Sequence, residues 1–382
     1  MTDGSDGRDG SAASGRRTVV TAGQTMLNTL MRASRRAWAA GKPIVSTDYV
    51  LEDIVRVGLV NRGGTTQWQS RERASGDAAG PAGSDIAGLF LEATWNARRQ
   101  LRRSVDQPAP RFSSAVVLAV RRAIEDASVR HLAHAHKVHL LTALLDDTAN
   151  RANERLRALG IEPQSLLEGP SATLNQSGPP IAFGAMKLYL TGHLNPPHRR
   201  RPSVRQVVRR WHHALLGDTM PMITAVELEA MRHAARLDHH QVGVLHLLLA
   251  IIATDQQIHG LHWNLSERLS THSSAAELLT RHGARYDTLV HDVLVRGKSL
   301  DGPIDRRYRW RRHIWSAPTS SALAAVVDRT HAEAEARHHR DAGTDHMLWV
   351  LLSDDAGPCV RLLEPTTDIE GLRRDVRRRL DS

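Results

Sequence analysis

"GTDHMLWVLL", residues 343–352, reads as a helix start. Gly343 breaks the preceding pattern, Thr344 supplies a capping hydroxyl, Asp345 puts a carboxylate in the first turn, and an apolar run follows. Near-copies stand at 46–55 ("STDYVLEDIV"), 136–145 ("HKVHLLTALL") and 243–252 ("GVLHLLLAII"). Twelve residues before Tyr49, His139, His246 and His346 an alanine recurs, as Ala37, Ala127, Ala234 and Ala334. Each falls late in an amphipathic helical pattern. Val116, Val120, Ile124 and Ala127 share one face, as do Ile223, Val226, Ala230, Ala234 and Leu237, and again Leu323, Val326, Val327, Thr330 and Ala334.

A weaker pattern follows three of the copies: "NERLRALGIEPQSLLEG", "AELLTRHGARYDTLVHDV" and "VRLLEPTTDIEGLRRDV" each run helix, Gly or Pro break, helix. The first copy continues less regularly, through a Gly/Ala/Ser-rich stretch at 61–84 that reads as an inserted loop. The unit is thus about four short helices, repeated every 90 to 107 residues. That period exceeds the roughly 20–50 residues of helical solenoids. Paired units forming compact all-α domains are expected instead.

Composition agrees with a globular chain. Of 382 residues, 41% are hydrophobic and 24% charged, as in ordinary folded domains. The single cysteine, Cys359, excludes an intramolecular disulfide framework and suits a reducing cytoplasm. Residues 1–18 are polar and Gly/Ser-rich, without an apolar signal core, and read as a disordered leader. The longest apolar stretch, 244–253 with His246 inside it, is too short to span a membrane. The expected division is a first domain at 19–170, a linker rich in Gly and Pro at 171–204, and a second domain at 205–382.

The repeated order of amphipathic helix ending in Ala, polar turn, G-T-D-H-like start, apolar helix and Leu pair resembles the amino-terminal (Clp N) domain of Clp ATPases, particularly the ClpC type. The stretch "FSSAVVLAVRRAIEDA", 112–127, resembles the opening of that family's second repeat. The resemblance covers about 19–169 and 219–381 and implies two domains, each a pseudo-twofold pair of four-helix repeats. Clp ATPases continue into AAA+ modules, which need a Gly-x4-Gly-Lys-Ser/Thr phosphate loop. Here the one candidate is Gly297-Lys298-Ser299, with Asp292 where the first glycine belongs, so no ATPase is expected.

The resemblance also implies ligand sites. In ClpC-type domains the Thr-Glu-His segment pairs its carboxylate with the guanidinium of phosphorylated arginine, and a hydroxyl from the start of the repeat's first helix helps to hold the phosphate. Both interactions are physically apt. Carried over, the first repeat offers Thr47 and Asp48 but has Gly23 in place of the hydroxyl. The second keeps Ser113 but has Lys137 and Val138, and the third has Met220, Val244 and Leu245. The fourth keeps Ser320, Thr344 and Asp345 together. Against this stands the plainer reading that Thr-Asp is only a helix cap. Phe112 matches a family aromatic beside the apolar groove that accepts cyclic-peptide antibiotics and adaptor segments. A place in the core between repeats is equally open to it.

Histidines cluster at His131, His134, His136 and His139, and at His239, His240 and His246, but without a Cys pair or an HExxH segment no metal is expected. No G-x-S-x-G elbow occurs, and no catalytic residue or cofactor is assigned. The expected function is therefore non-catalytic binding. The chain would act as a cytoplasmic modulator of a Clp protease or as a decoy sequestering ligands of such domains. Its partners would be Clp components, their substrates or adaptors, and phosphoarginine-bearing or cyclic peptides, without a membrane. The alternative is nucleic-acid binding. It rests on a net charge of +10 and on Arg-aromatic clusters at 198–213 and 306–315.

Overall fold

Apolar positions at helical spacing become helices throughout. The computed structural model describes residues 21–55, 72, 85–104, 107–167, 183–195, 221–296 and 318–382, and among these the chain is all-α, with sixteen α-helices and only two-residue strands. The leader at 1–18, Gly297-Lys298-Ser299 and both Arg-aromatic clusters lie outside the described residues, and of the inserted loop at 61–84 only Glu72 is described.

The first body contains α1 (Gln24–Ala39), α2 (Thr47–Val55), α3 (Asp85–Leu101), α4 (Ser114–Val129), α5 (Lys137–Asp146) and α6 (Arg151–Ala158). Met26, Leu30, Leu51, Val116, Leu140 and Leu144 fill its core. The second contains α7 (Phe183–Leu190), α8 (Pro221–Arg236), α9 (Val244–Gly260), α10 (Glu267–Ser270), α11 (Ala275–Arg281), α12 (Tyr286–Arg296), α13 (Ser321–Ala336), α14 (Thr344–Leu352), α15 (Pro358–Leu363) and α16 (Ile369–Leu380). Its core gathers Met222, Leu247, Leu248, Leu278, Met347 and Leu363.

The recurrent alanines have a physical reason. Each is fully buried, and each carbonyl accepts the N–H five residues on: Lys42 to Ala37, Leu132 to Ala127, His239 to Ala234, His339 to Ala334, all at 2.9 Å. The residue before each donor is left-handed, at φ 66° for Gly41, 57° for His131, 56° for Asp238 and 58° for His338. Four helices thus close with one motif, in which a left-handed residue turns the chain and satisfies end carbonyls.

Short parallel pairings then tie the units together crosswise. β1 (Thr21–Ala22), before α1, pairs with β4 (His134–Ala135), before α5. β2 (Ile44–Val45), before α2, pairs with β3 (Arg111–Phe112), before α4. Each unit's first helix therefore starts beside the other unit's second helix. In the second body a parallel bridge between Val242 and Thr319 sets the start of α13 beside that of α9 in the same manner.

Part of the stretch expected as a linker is folded. Within 171–204, α7 packs on α8, and β5 (Leu194–Asn195) pairs antiparallel with β6 (Asn264–Leu265). Leu188 and Leu194 are fully buried in the second core. Their apolar spacing was hidden between glycines and prolines.

α3 joins the two bodies. It sets Leu89, Phe90 and Ala93 in the first core and Trp95 in the second. Beside Trp95, the Glu92 carboxylate is gripped by Arg232 and Arg236 of α8, each at 2.7 Å, and is only 3% exposed. Burial alone would raise this carboxyl. The two guanidinium groups outweigh it and hold Glu92 below the usual range.

Candidate functional site: the helix-start cleft

Three of the repeated helix starts are closed by histidine. The Nδ1 atoms of His139, His246 and His346 accept the N–H of His136 (2.9 Å), Gly243 (2.9 Å) and Gly343 (3.1 Å), the role a Glu plays in a capping box. With Nδ1 accepting, the proton sits on Nε2. His246 Nε2 then meets His239 Nδ1, and His346 Nε2 meets His339 Nδ1, both at 2.8 Å. Burial first, and neighbouring histidines second, push both His246 and His346 down to about 3. These rings are neutral structural caps. Among the described residues, no group of three His, Cys, Asp or Glu is placed to hold a metal ion.

Because β2 lies beside β3, Thr47 of the first unit meets Ser113 of the second. The two converge on the Glu72 carboxylate. Thr47 N–H (3.0 Å) and Ser113 Oγ (2.6 Å) donate to Oε2, while Arg151 N–H (3.0 Å) and Thr47 Oγ1 donate to Oε1. Thr47 Oγ1 in turn accepts the Ala152 N–H at 3.0 Å, and Ser113 Oγ accepts Val116 N–H at 3.2 Å. The cleft is thus walled by the N-terminal ends of α2 and α6, whose partial positive charge favours an anion, and two hydroxyls complete it. Asp48 turns to the cationic side. Its Oδ2 lies 3.7 Å from both Arg151 and Arg155, its Oδ1 accepts from Ser46, and Arg155 also pairs with Glu52.

The second Thr-Asp pair sits at an equivalent junction, against α11. Thr344 Oγ1 accepts the Ala275 N–H at 3.4 Å, as Thr47 accepts that of Ala152. But Ser274 stands where the first body has Arg151. Asp345 accepts Ser274 N–H at 2.9 Å and Ser274 Oγ at 3.1 Å. It is fully buried, and burial, partly offset by those bonds, raises it to about 6.

Three expectations about these residues need correction. Ser320 does not join Thr344 and Asp345. Its N–H donates to Val242 O at 2.9 Å, and its hydroxyl caps α13 through Leu323 N–H at 3.1 Å. Gly23, expected beside Thr47, lies against His136, and a Cβ there would stand 2.9 Å from His136 Nδ1. Both follow from crosswise pairing, which brings hydroxyl and Thr-Asp together from different units. Phe112 is 5% exposed, with its ring 4.5 Å from that of Phe90, so it is a core side chain.

Sequence reasoning missed Glu72, Arg151, Arg155 and Ser274. The "NERL" helix marked where the arginines lie, but nothing in the Gly/Ala/Ser-rich stretch singled out one glutamate. No known protein family, curated relative or solved structure matches the chain.

Proposed function

We propose that this chain is a non-catalytic binding protein whose two bodies follow the plan of the Clp N domain, and that its helix-start cleft takes the oxyanion of a peptide ligand. One observation carries the reading. Two hydroxyls and two helix N-termini, drawn from different units, converge on a single carboxylate at Thr47 and Ser113. Donors fixed by packing bind an anion without reorganising. The reciprocal pairing of β1 with β4 and β2 with β3 supports the pseudo-twofold arrangement that the family resemblance implies.

On this reading the chain acts in the cytoplasm, modulating a Clp-type protease or sequestering ligands that dock on such domains. A phosphoarginine-bearing peptide would lay its phosphoryl group against Thr47 and Ser113 and bring its guanidinium towards Asp48. The second body, where Asp345 closes the equivalent cleft on itself, contributes structure instead. Calorimetry with such a peptide tests the proposal. In a chain whose cleft is cleared by Glu72→Ala, Thr47→Val should weaken binding about ten-fold or more, the value of one charge-assisted hydrogen bond. Binding that is absent, or indifferent to Thr47→Val, contradicts it.

A further inference from the structure

We propose that Glu72 is a competing ligand supplied by the chain itself, so that the cleft at Thr47 and Ser113 is self-occupied and an incoming oxyanion binds by displacing this side chain. The inference rests on the oxyanion-binding reading given above and adds its regulation.

The carboxylate is bound as a ligand would be. Each of its oxygens accepts two hydrogen bonds, from four donors on three segments: Thr47 N–H and Oγ1, Ser113 Oγ, and Arg151 N–H. It comes from far along the chain, 25 residues after Thr47 and 41 before Ser113. Glu72 is only half-buried, so water reaches it and exchange needs no opening of the core.

The cation-binding side of the cleft is filled from within as well. The Arg151 and Arg155 guanidinium groups lie 3.7 Å from Asp48 Oδ2, where a guanidinium-bearing ligand would otherwise pair. The second body marks how strongly this position calls for an acceptor. There the N–H of Ser274, equivalent to that of Arg151, takes the Asp345 carboxylate. In the first body Asp48 is held by cations, and the same donor is satisfied by a glutamate from the insertion.

The apparent affinity for an external anion falls by the fraction of molecules in which the cleft is vacant. Removing the carboxylate should therefore reveal a site that the intact chain conceals.

The test uses the full chain, with inorganic phosphate as the probe at constant ionic strength, followed through the amide signals of Thr47 and Arg151. Glu72→Ala vacates the cleft, and Glu72→Gln keeps the side chain's shape while removing its charge. Phosphate should bind Glu72→Ala roughly ten-fold or more tightly than wild type, Glu72→Gln should lie between them, and Thr47→Val added to Glu72→Ala should abolish the response. Equal binding to wild type and both variants would overturn the inference and leave the oxyanion cleft standing. No binding to any of the three, with or without a fall in melting temperature, would make Glu72 a structural cap and overturn both readings.

Discussion

At the scale of single residues, most of the polar groups at the repeated helix starts are bound inside the protein, and their protonation is set by that burial. His246 and His346 titrate near 3 in the folded chain against 6.5 for a free histidine. A depressed histidine stabilises the fold in full above 6.5, and that contribution is lost as pH falls from 6.5 towards 3, because the unfolded chain takes the protons first. Asp345 acts in the opposite sense. Raised from 3.8 to about 6, it favours the folded form increasingly as pH falls from 6 to 3.8. Two deep histidine shifts outweigh one smaller carboxyl shift, so thermal stability should decline between pH 6.5 and 4 in a buffer series. A flat or rising profile contradicts the histidine caps. The left-handed residues give a second expectation. His131 and His338 are exposed at positive φ, a conformation glycine adopts without strain. His131→Gly and His338→Gly should each raise stability by up to about 1 kcal/mol in urea unfolding, whereas Gly41→Ala should lower it.

At the scale of elements, the helices and their starts were legible in the sequence because they are periodic. Ala37, Ala127, Ala234 and Ala334 stood out at one spacing, and each proves to close its helix through the same bond. The strand pairings were not legible. Ile44–Val45 and Arg111–Phe112 are two residues long and carry no period, yet their register decides which hydroxyl meets which Thr-Asp pair. Phe112 was legible as an aromatic of note, but only its contact with Phe90 shows that it belongs to the core. α7 was lost for another reason, since its glycine and proline flanks read as linker. Its packing leads to a fragment test. A fragment spanning 183–382 retains Leu188 and Leu194 in the second core, and one spanning 205–382 does not. Burying two leucines contributes about 3–6 kcal/mol, so the shorter fragment should unfold at markedly lower urea. Equal midpoints would mean that α7 is dispensable.

At the scale of the whole molecule, α3 contributes side chains to both cores. Glu92 lies buried in that junction and pairs with both Arg232 and Arg236, which also reach Glu229 and Asp85 respectively. Glu92→Ala removes the carboxylate that Arg232 and Arg236 share, and since Arg232 keeps Glu229 it should cost about 3 kcal/mol, the low end for breaking a buried pair. Because the damage falls between bodies rather than within one, an intact chain expected to unfold in one transition should unfold in two by calorimetry once Glu92 is replaced. A small loss confined to one transition would mean that the bodies are held together elsewhere.

Units exchange their helix starts, so that Thr47 and Ser113 from different units hold the one Glu72 carboxylate. A double-mutant cycle on stability measures this directly. Thr47→Val and Ser113→Ala, made singly and together, should couple by about 0.5–3 kcal/mol, since both donors serve the Glu72 carboxylate. Thr344→Val and Ser320→Ala, which share no partner, should be additive within about 0.5 kcal/mol. Additivity at Thr47 and Ser113, or coupling at Thr344 and Ser320, would contradict the crosswise assembly on which the cleft depends.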